Sequence, residues 1–183
     1  MEKIIFIDRD GVINLYPGDF KYVSSVREFK FLAGSKEALV KLYKSGYKIF
    51  VISNQAGVTK GFYSRKTLDD ITKLLTTEVE SAGGHIEKVL YCIHTDEQNC
   101  ECRKPKTGLL KEALSFRDAD VSHTFFIGDS VRDIKTGKAA GCKTILVLSG
   151  KETCENRAHW EVQPDFVAEN LLTATEIVLK QNK

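Results

Sequence analysis

Short apolar runs recur along the chain, and each is followed by a small group of polar residues. Ile4-Ile5-Phe6-Ile7, Lys48-Ile-Phe-Val-Ile-Ser53, Ile86 to Cys92, Thr124-Phe-Phe-Ile127 and Thr144-Ile-Leu-Val147 are rich in β-branched and aromatic residues and predict five strands. Between them the apolar positions fall at helical spacing. Ala38, Leu39, Leu42 and Tyr43 share a face of a helix for which Ser35 serves as N-cap and Gly46 as the stop. Leu68, Ile71, Leu74, Leu75 and Val79 form a second stripe that ends at Gly83-Gly84. Leu109, Leu110, Ala113 and Leu114 mark a third helix, Ile134, Ala139 and Ala140 a fourth, and Leu171 to Leu179 a closing one. Strands that alternate with helices and are apolar on both faces predict an α/β fold with a central parallel sheet between two helical layers. No Pro/Gly/Ser-rich linker, repeat or charge block divides the chain, so residues 1–183 read as one domain.

Composition narrows the function classes. A chain of 183 residues with 42% hydrophobic and 28% charged residues can bury a sizeable core. A net charge of +2, spread along the chain, gives no reason to expect nucleic acid or a membrane surface as partner. The apolar run after Met1-Glu2-Lys3 is too short for a signal peptide and no run approaches membrane-spanning length, so a cytoplasmic protein is expected. Five cysteines, three of them clustered, favour metal or free thiols over disulfides in that compartment.

Four polar signatures stand behind the strands: Asp8-Arg9-Asp10-Gly11, Ser53-Asn54-Gln55, Arg103-Lys104-Pro105 and Gly128-Asp129-Ser130, with Asp133 one helical turn on. Each alone fits a bland role, as a turn, a helix cap or a solvated basic pair. In an open parallel sheet, however, ligands sit outside the carboxyl ends of the strands, which is where all four fall. Together they suit phosphoryl transfer. A carboxylate can attack phosphorus and form an acyl phosphate, splitting a hard hydrolysis into two easier steps. Carboxylates crowded together need a hard divalent cation such as Mg²⁺. A hydroxyl and a lysine can hold the remaining phosphate oxygens.

With these motifs across residues 8 to 133, the chain resembles the haloacid dehalogenase (HAD) superfamily of phosphohydrolases, which implies a Rossmann-like, three-layer αβα fold. The resemblance implies Asp8 as nucleophile and Asp10 as the acid that protonates the leaving oxygen and then the base that activates water. It implies Ser53 and Lys104 as phosphate ligands, and Asp8, the main-chain carbonyl of Asp10 and Asp129 as Mg²⁺ ligands, with Asp133 supporting them. No large cap domain is evident. Substrate contacts are therefore expected from Asp8, Arg9 and Asp10, from Tyr16, Pro17, Gly18 and Asp19 in the loop that runs to Tyr22, from Ser53, Asn54, Gln55 and Ala56, and from Arg103 and Lys104.

Cys92-Ile-His94 and Cys100-Glu-Cys102 form a second candidate metal site. Residues i and i+2 of an extended segment point to the same side, so each pair presents both ligands together, and three thiolates with one imidazole suit a closed, structural Zn²⁺ site. A zinc loop directly before Arg103-Lys104-Pro105 resembles the D-glycero-D-manno-heptose 1,7-bisphosphate phosphatases, as do Asp8 to Asn14, Phe29 to Gly34, and Ser53 to Gly57 followed by Gly61-Phe-Tyr63. That resemblance implies removal of the 7-phosphate of a sugar bisphosphate in nucleotide-activated heptose synthesis, with Mg²⁺ and Zn²⁺ as cofactors; separately, a monomer is expected. The related histidinol-phosphate phosphatases share the loop. A non-catalytic zinc module is the reading of another class, and it has no use for both Asp8 and Asp10. His85, His123, His159 and Cys154 are expected at the surface, Cys142 in the core, and Trp160 packed against the domain.

Overall fold

A computed structural model describes residues 1–115 and 117–181. One parallel sheet holds six strands: β1 (Lys3–Ile7), β2 (Tyr47–Asn54), β3 (Lys88–Cys92), β4 (Phe125–Gly128), β5 (Lys143–Val147) and β6 (Phe166–Ala168), in the order β3-β2-β1-β4-β5-β6. The helices are α1 (Ser35–Lys44), α2 (Arg65–Ser81), α3 (Gly108–Leu114), α4 (Val131–Ala140) and α5 (Leu171–Gln181). Successive side chains of a strand point to opposite faces. Ile5 and Ile7 therefore enter one core with Ile49, Val51, Leu39, Ile71 and Val178, beneath α1, α2 and α5. Ile4 and Phe6 enter the opposite one with Phe50, Ile52, Leu110 and Phe126, beneath α3. On that same face Ile134 of α4 packs with Leu146 and Trp160, as expected for the tryptophan. This is the three-layer αβα arrangement. Strand order reverses between β1 and β4, paired through Ile7 and Ile127, so the crevice of a doubly wound sheet opens beside Asp8 and Asp129.

Several local expectations are corrected. The chain has a sixth strand, β6, a three-residue edge that the periodicity does not reveal; Asp165 ties it to β5 by accepting from Thr144 N at 2.7 Å and Oγ1 at 2.8 Å. Ile86 is buried but lies before β3. Ser35 does not cap α1: the chain enters through Gly34 at φ 76°, so Ser35 is already helical and its hydroxyl turns back to the Leu32 carbonyl. Tyr43 is exposed rather than on the buried face, whereas Gly46, at φ 85°, is the expected stop. In α4 the buried face is Ile134, Thr136 and Gly137, and Ala139 is exposed. His85, His123, His159 and Cys154 are exposed and Cys142 is buried, as expected. Among the described residues no helix is long and apolar enough to cross a membrane.

Candidate active site

Asp8 follows the last residue of β1, Asp129 follows β4, and Ser53 and Asn54 end β2, so three adjacent strands deliver these side chains to one edge of the sheet. Lys104 arrives from the β3–α3 connection and is 2% exposed. Its ammonium lies 2.9 Å from Asp8 Oδ1, 2.6 Å from Asp133 Oδ1 and 3.0 Å from the Ile52 carbonyl, which engages all three of its donors. Burial alone would push Lys104 down, but Asp133 and Asp8 outweigh it and hold the lysine charged, above its ordinary range. Asp8 Oδ1 also accepts from Arg9 N at 2.7 Å, while Oδ2 takes no hydrogen bond among the described residues. Asp133 is engaged on both oxygens: Oδ2 accepts from the Ser130 amide and hydroxyl, which builds the first turn of α4.

Asp10 is gripped from three sides. Arg9 donates from Nε and Nη2, Asn14 from Nδ2 at 2.9 Å, and Gln55 from Nε2 to Oδ2 at 2.7 Å. The tight turn over residues 9–14 makes this possible, because the Arg9 carbonyl receives the amides of Ile13 and Asn14. Arg9 does not reach the cleft. Its side chain is fully buried, with the guanidinium on Asp10 and over the Tyr91 ring. Gln55 and Ala56 are also buried and do not line the cleft, so the three expected contacts Arg9, Gln55 and Ala56 stand behind the surface rather than on it.

The remaining expected residues converge on one cleft of about 350 Å³: Asp8, Asp10, Tyr16, Pro17, Gly18, Asp19, Ser53, Asn54, Arg103, Lys104 and Asp129. It also collects Lys60, Asp96, Arg132 and Lys151, which sequence reasoning missed. Arg103 is fixed by the metal-loop segment, donating to the His94 carbonyl at 3.1 Å and to Asp96 Oδ1 at 2.6 Å. Arg132 reaches the same carboxylate at 3.4 Å. Across the cleft, Lys151 pairs with Asp19 at 2.9 Å, which itself accepts from Tyr16.

The chemistry of the carboxylates at the strand tips calls for a cation. Oxygens of Asp8, Asp129 and Asp133 lie within 4.8 Å of one another. Burial, then repulsion from Asp133 and Asp10, raises Asp8 to about 7 against the opposing pull of Lys104, and burial with repulsion from Asp133 and Asp8 carries Asp129 well above the usual carboxylate range. One lysine does not neutralise this group, so a hard oxygen-seeking divalent ion fits.

At the end of β3 the Cys92, His94, Cys100 and Cys102 ligand atoms also lie within 4.8 Å of one another. Cys102 Sγ is 3.1 Å from Cys92 Sγ, 3.3 Å from Cys100 Sγ and 3.2 Å from His94 Nδ1, and Cys92 is 3.6 Å from Cys100. A tetrahedron with Zn–S bonds of about 2.3 Å has edges of about 3.8 Å, so this quartet is already gathered at the scale of a four-coordinate ion. Burial pushes the Cys92 thiol up to about 12; at Cys100 burial is outweighed by hydrogen bonds from Cys102 and Cys92, which bring it down to about 6.

The HAD-hydrolase-like family matches residues 101–174. The D-glycero-beta-D-manno-heptose-1,7-bisphosphate 7-phosphatase of Neisseria meningitidis is 36% identical over 182 residues, covering 98% of this chain and 96% of that protein. The chain belongs to this family of HAD-like phosphatases. The Pasteurella multocida protein of the same name is 34% identical over 97% of each chain. A crystal structure of D,D-heptose 1,7-bisphosphate phosphatase from B. bronchiseptica, complexed with magnesium and phosphate, superposes with a TM-score of 0.89 at 29% identity over 98% of this chain and 99% of that one.

In this family member two glycines make room for Asp129. A Cβ on Gly11 or on Gly150 would each sit 2.0 Å from Asp129 Oδ2, the oxygen that also accepts from Lys151 N at 2.8 Å. Gly11 in addition has φ +79°, which an L side chain rarely adopts. Gly11→Ala is therefore expected to displace Asp129 and cut magnesium affinity by at least tenfold, read by titrating activity with the metal; wild-type affinity would show that the loop yields.

Proposed function

We propose that this protein is a magnesium-dependent phosphatase that removes the 7-phosphate of D-glycero-beta-D-manno-heptose 1,7-bisphosphate in heptose biosynthesis. The observation that carries the reading is a single cleft with two poles. At one end Asp8 meets Lys104 among buried carboxylates; at the other Arg103, Arg132 and Lys60 gather round Asp96, as a second phosphate would require. The names of the relatives support the same substrate.

In this reading Asp8 Oδ2 attacks phosphorus and the phosphoryl group passes to Asp8. Asp10 gives its proton to the departing sugar oxygen, then takes one from the water that opens the aspartyl phosphate. Lys104 and Ser53 hold the phosphoryl oxygens. Ser53 Oγ accepts from Gln55 Nε2 at 3.1 Å, which leaves its own proton for the phosphate. Asp8, the carbonyl of Asp10 and Asp129 would hold Mg²⁺, which supplies the positive charge that lets a phosphate approach these carboxylates. Arg9, placed behind Asp10, orients the acid rather than touching the substrate. Cys92, His94, Cys100 and Cys102 would hold Zn²⁺ as a structural ion, and the hydrogen bond from Arg103 to the His94 carbonyl carries that rigidity into the cleft.

Phosphate release from the two heptose 1,7-bisphosphate anomers, fructose 1,6-bisphosphate and histidinol phosphate, compared by kcat/KM, tests the substrate. The beta-heptose bisphosphate should lead by at least tenfold, and a lead for histidinol phosphate would overturn the assignment. Arg103→Ala should harm the bisphosphate far more than p-nitrophenyl phosphate, since only the larger molecule spans the cleft. Equal losses would remove Arg103 as a specificity contact.

A further inference from the structure

The buried pair Tyr63–Gln55 does not line the cleft, yet it ends on Asp10. Tyr63, which lies just before α2, donates its hydroxyl to Gln55 Oε1 at 2.5 Å, and Gln55 Nε2 donates to Asp10 Oδ2 and to Ser53 Oγ. Gln55 is 1% exposed and Tyr63 7%, so these hydrogen bonds are shielded from solvent. An amide can occupy such a slot in two orientations, which differ by exchanging its oxygen and nitrogen. The carboxylate Asp10 tolerates only the nitrogen. That carboxylate sets the orientation, and the phenol holds it from the other end by donating to the amide oxygen. The backbone is pinned as well: the Gln55 amide donates to the Cys92 carbonyl at 2.7 Å. Gly57 permits the approach of the ring, because a Cβ there would lie 2.3 Å from Tyr63 Cε1. Tyr22, from the loop that lines the cleft, packs against the Tyr63 ring at 6.1 Å.

We infer that Tyr63 is a positioning residue for the reaction: it holds the Gln55 amide so that Asp10 is aimed at the leaving oxygen. The inference rests on the assignment of Asp10 as the acid and base. It predicts a signature in the leaving group rather than in the fold. A sugar alkoxide must be protonated as it departs, whereas p-nitrophenolate leaves without help. Tyr63→Phe removes one oxygen and keeps the ring on Tyr22. The variant should lose about tenfold or more in single-turnover phosphorylation by the heptose bisphosphate or by glycerol phosphate, while p-nitrophenyl phosphate changes by less than about threefold.

Gln55→Leu should show the same split, and the double variant should be no slower than Gln55→Leu alone, because the phenol acts through the amide. Equal losses on alkyl and aryl substrates, or none on either, would overturn the inference, as would a double variant with additive losses. If the wild type hydrolysed glycerol phosphate but not the heptose bisphosphate, only the substrate assignment would fall and the alkyl–aryl comparison would still decide the role of Tyr63. A wild type inert on all three esters would overturn both.

Discussion

Asp8→Asn is expected to lower phosphate release on the order of 10⁶-fold, the scale of loss when a covalent nucleophile is removed. The substitution keeps size and shape. Lys104 retains Asp133 and the Ile52 carbonyl as partners, and Arg9 N can still donate to the amide oxygen, so the melting temperature should stay within a few degrees of wild type. Quenched-flow measurement of burst phosphorylation separates this from slower turnover: the variant should show no burst. A steady-state rate within tenfold of wild type would exclude a covalent step through Asp8, and with it the division of labour between Asp8 and Asp10.

The largest effect on stability should come from Cys102→Ser. Cys102 lies against each of the other three ligands, within 3.1 to 3.3 Å, so its loss opens the quartet at its centre. Structural zinc contributes about 10 kcal/mol or more to the folding of small zinc modules. Only a fraction of that reports on a domain with its own core, so a fall in melting temperature on the order of 10 °C is expected. Elemental analysis should find about one zinc in wild type and none in the variant. Mild chelation should act differently, stopping catalysis by removing magnesium while the melting temperature holds. Zinc-free wild type from chelator-free preparation, or an unchanged melting temperature for Cys102→Ser, would remove the structural-zinc assignment.

The parts of the molecule that announce themselves locally were legible in the sequence. Asp8, Ser53, Lys104 and Asp129 stand behind apolar strands where a carboxylate, hydroxyl or ammonium has few structural uses, and the β1–β5 pattern follows from runs that must be apolar on both faces. The three thiols and one imidazole of the Cys92–Cys102 cluster carry their spacing with them. What escaped was set by tertiary packing. Arg9 is read as a substrate contact because a charged side chain beside a catalytic carboxylate is normally solvated; here Asp10 and Tyr91 make a fully buried guanidinium tenable. Lys60, Asp96 and Lys151 come from three separate connections and Arg132 from the first turn of α4, and no spacing in the chain links them. β6 has only three residues and a single neighbour, too short to leave a period.

Asp133 belongs to two structures at once. One oxygen receives Lys104, and the other receives the Ser130 amide and hydroxyl that begin α4. The charge state of the phosphate site and the fraying of a helix end are thus written on one carboxylate. A ligand that draws Lys104 toward itself will leave Asp133 freer to bind Ser130, and the amides of Ser130 and its neighbours should then exchange their hydrogens with solvent more slowly. Amide exchange at the start of α4 becomes a native gauge of phosphate occupancy, readable without a label, a chromogenic ester or turnover.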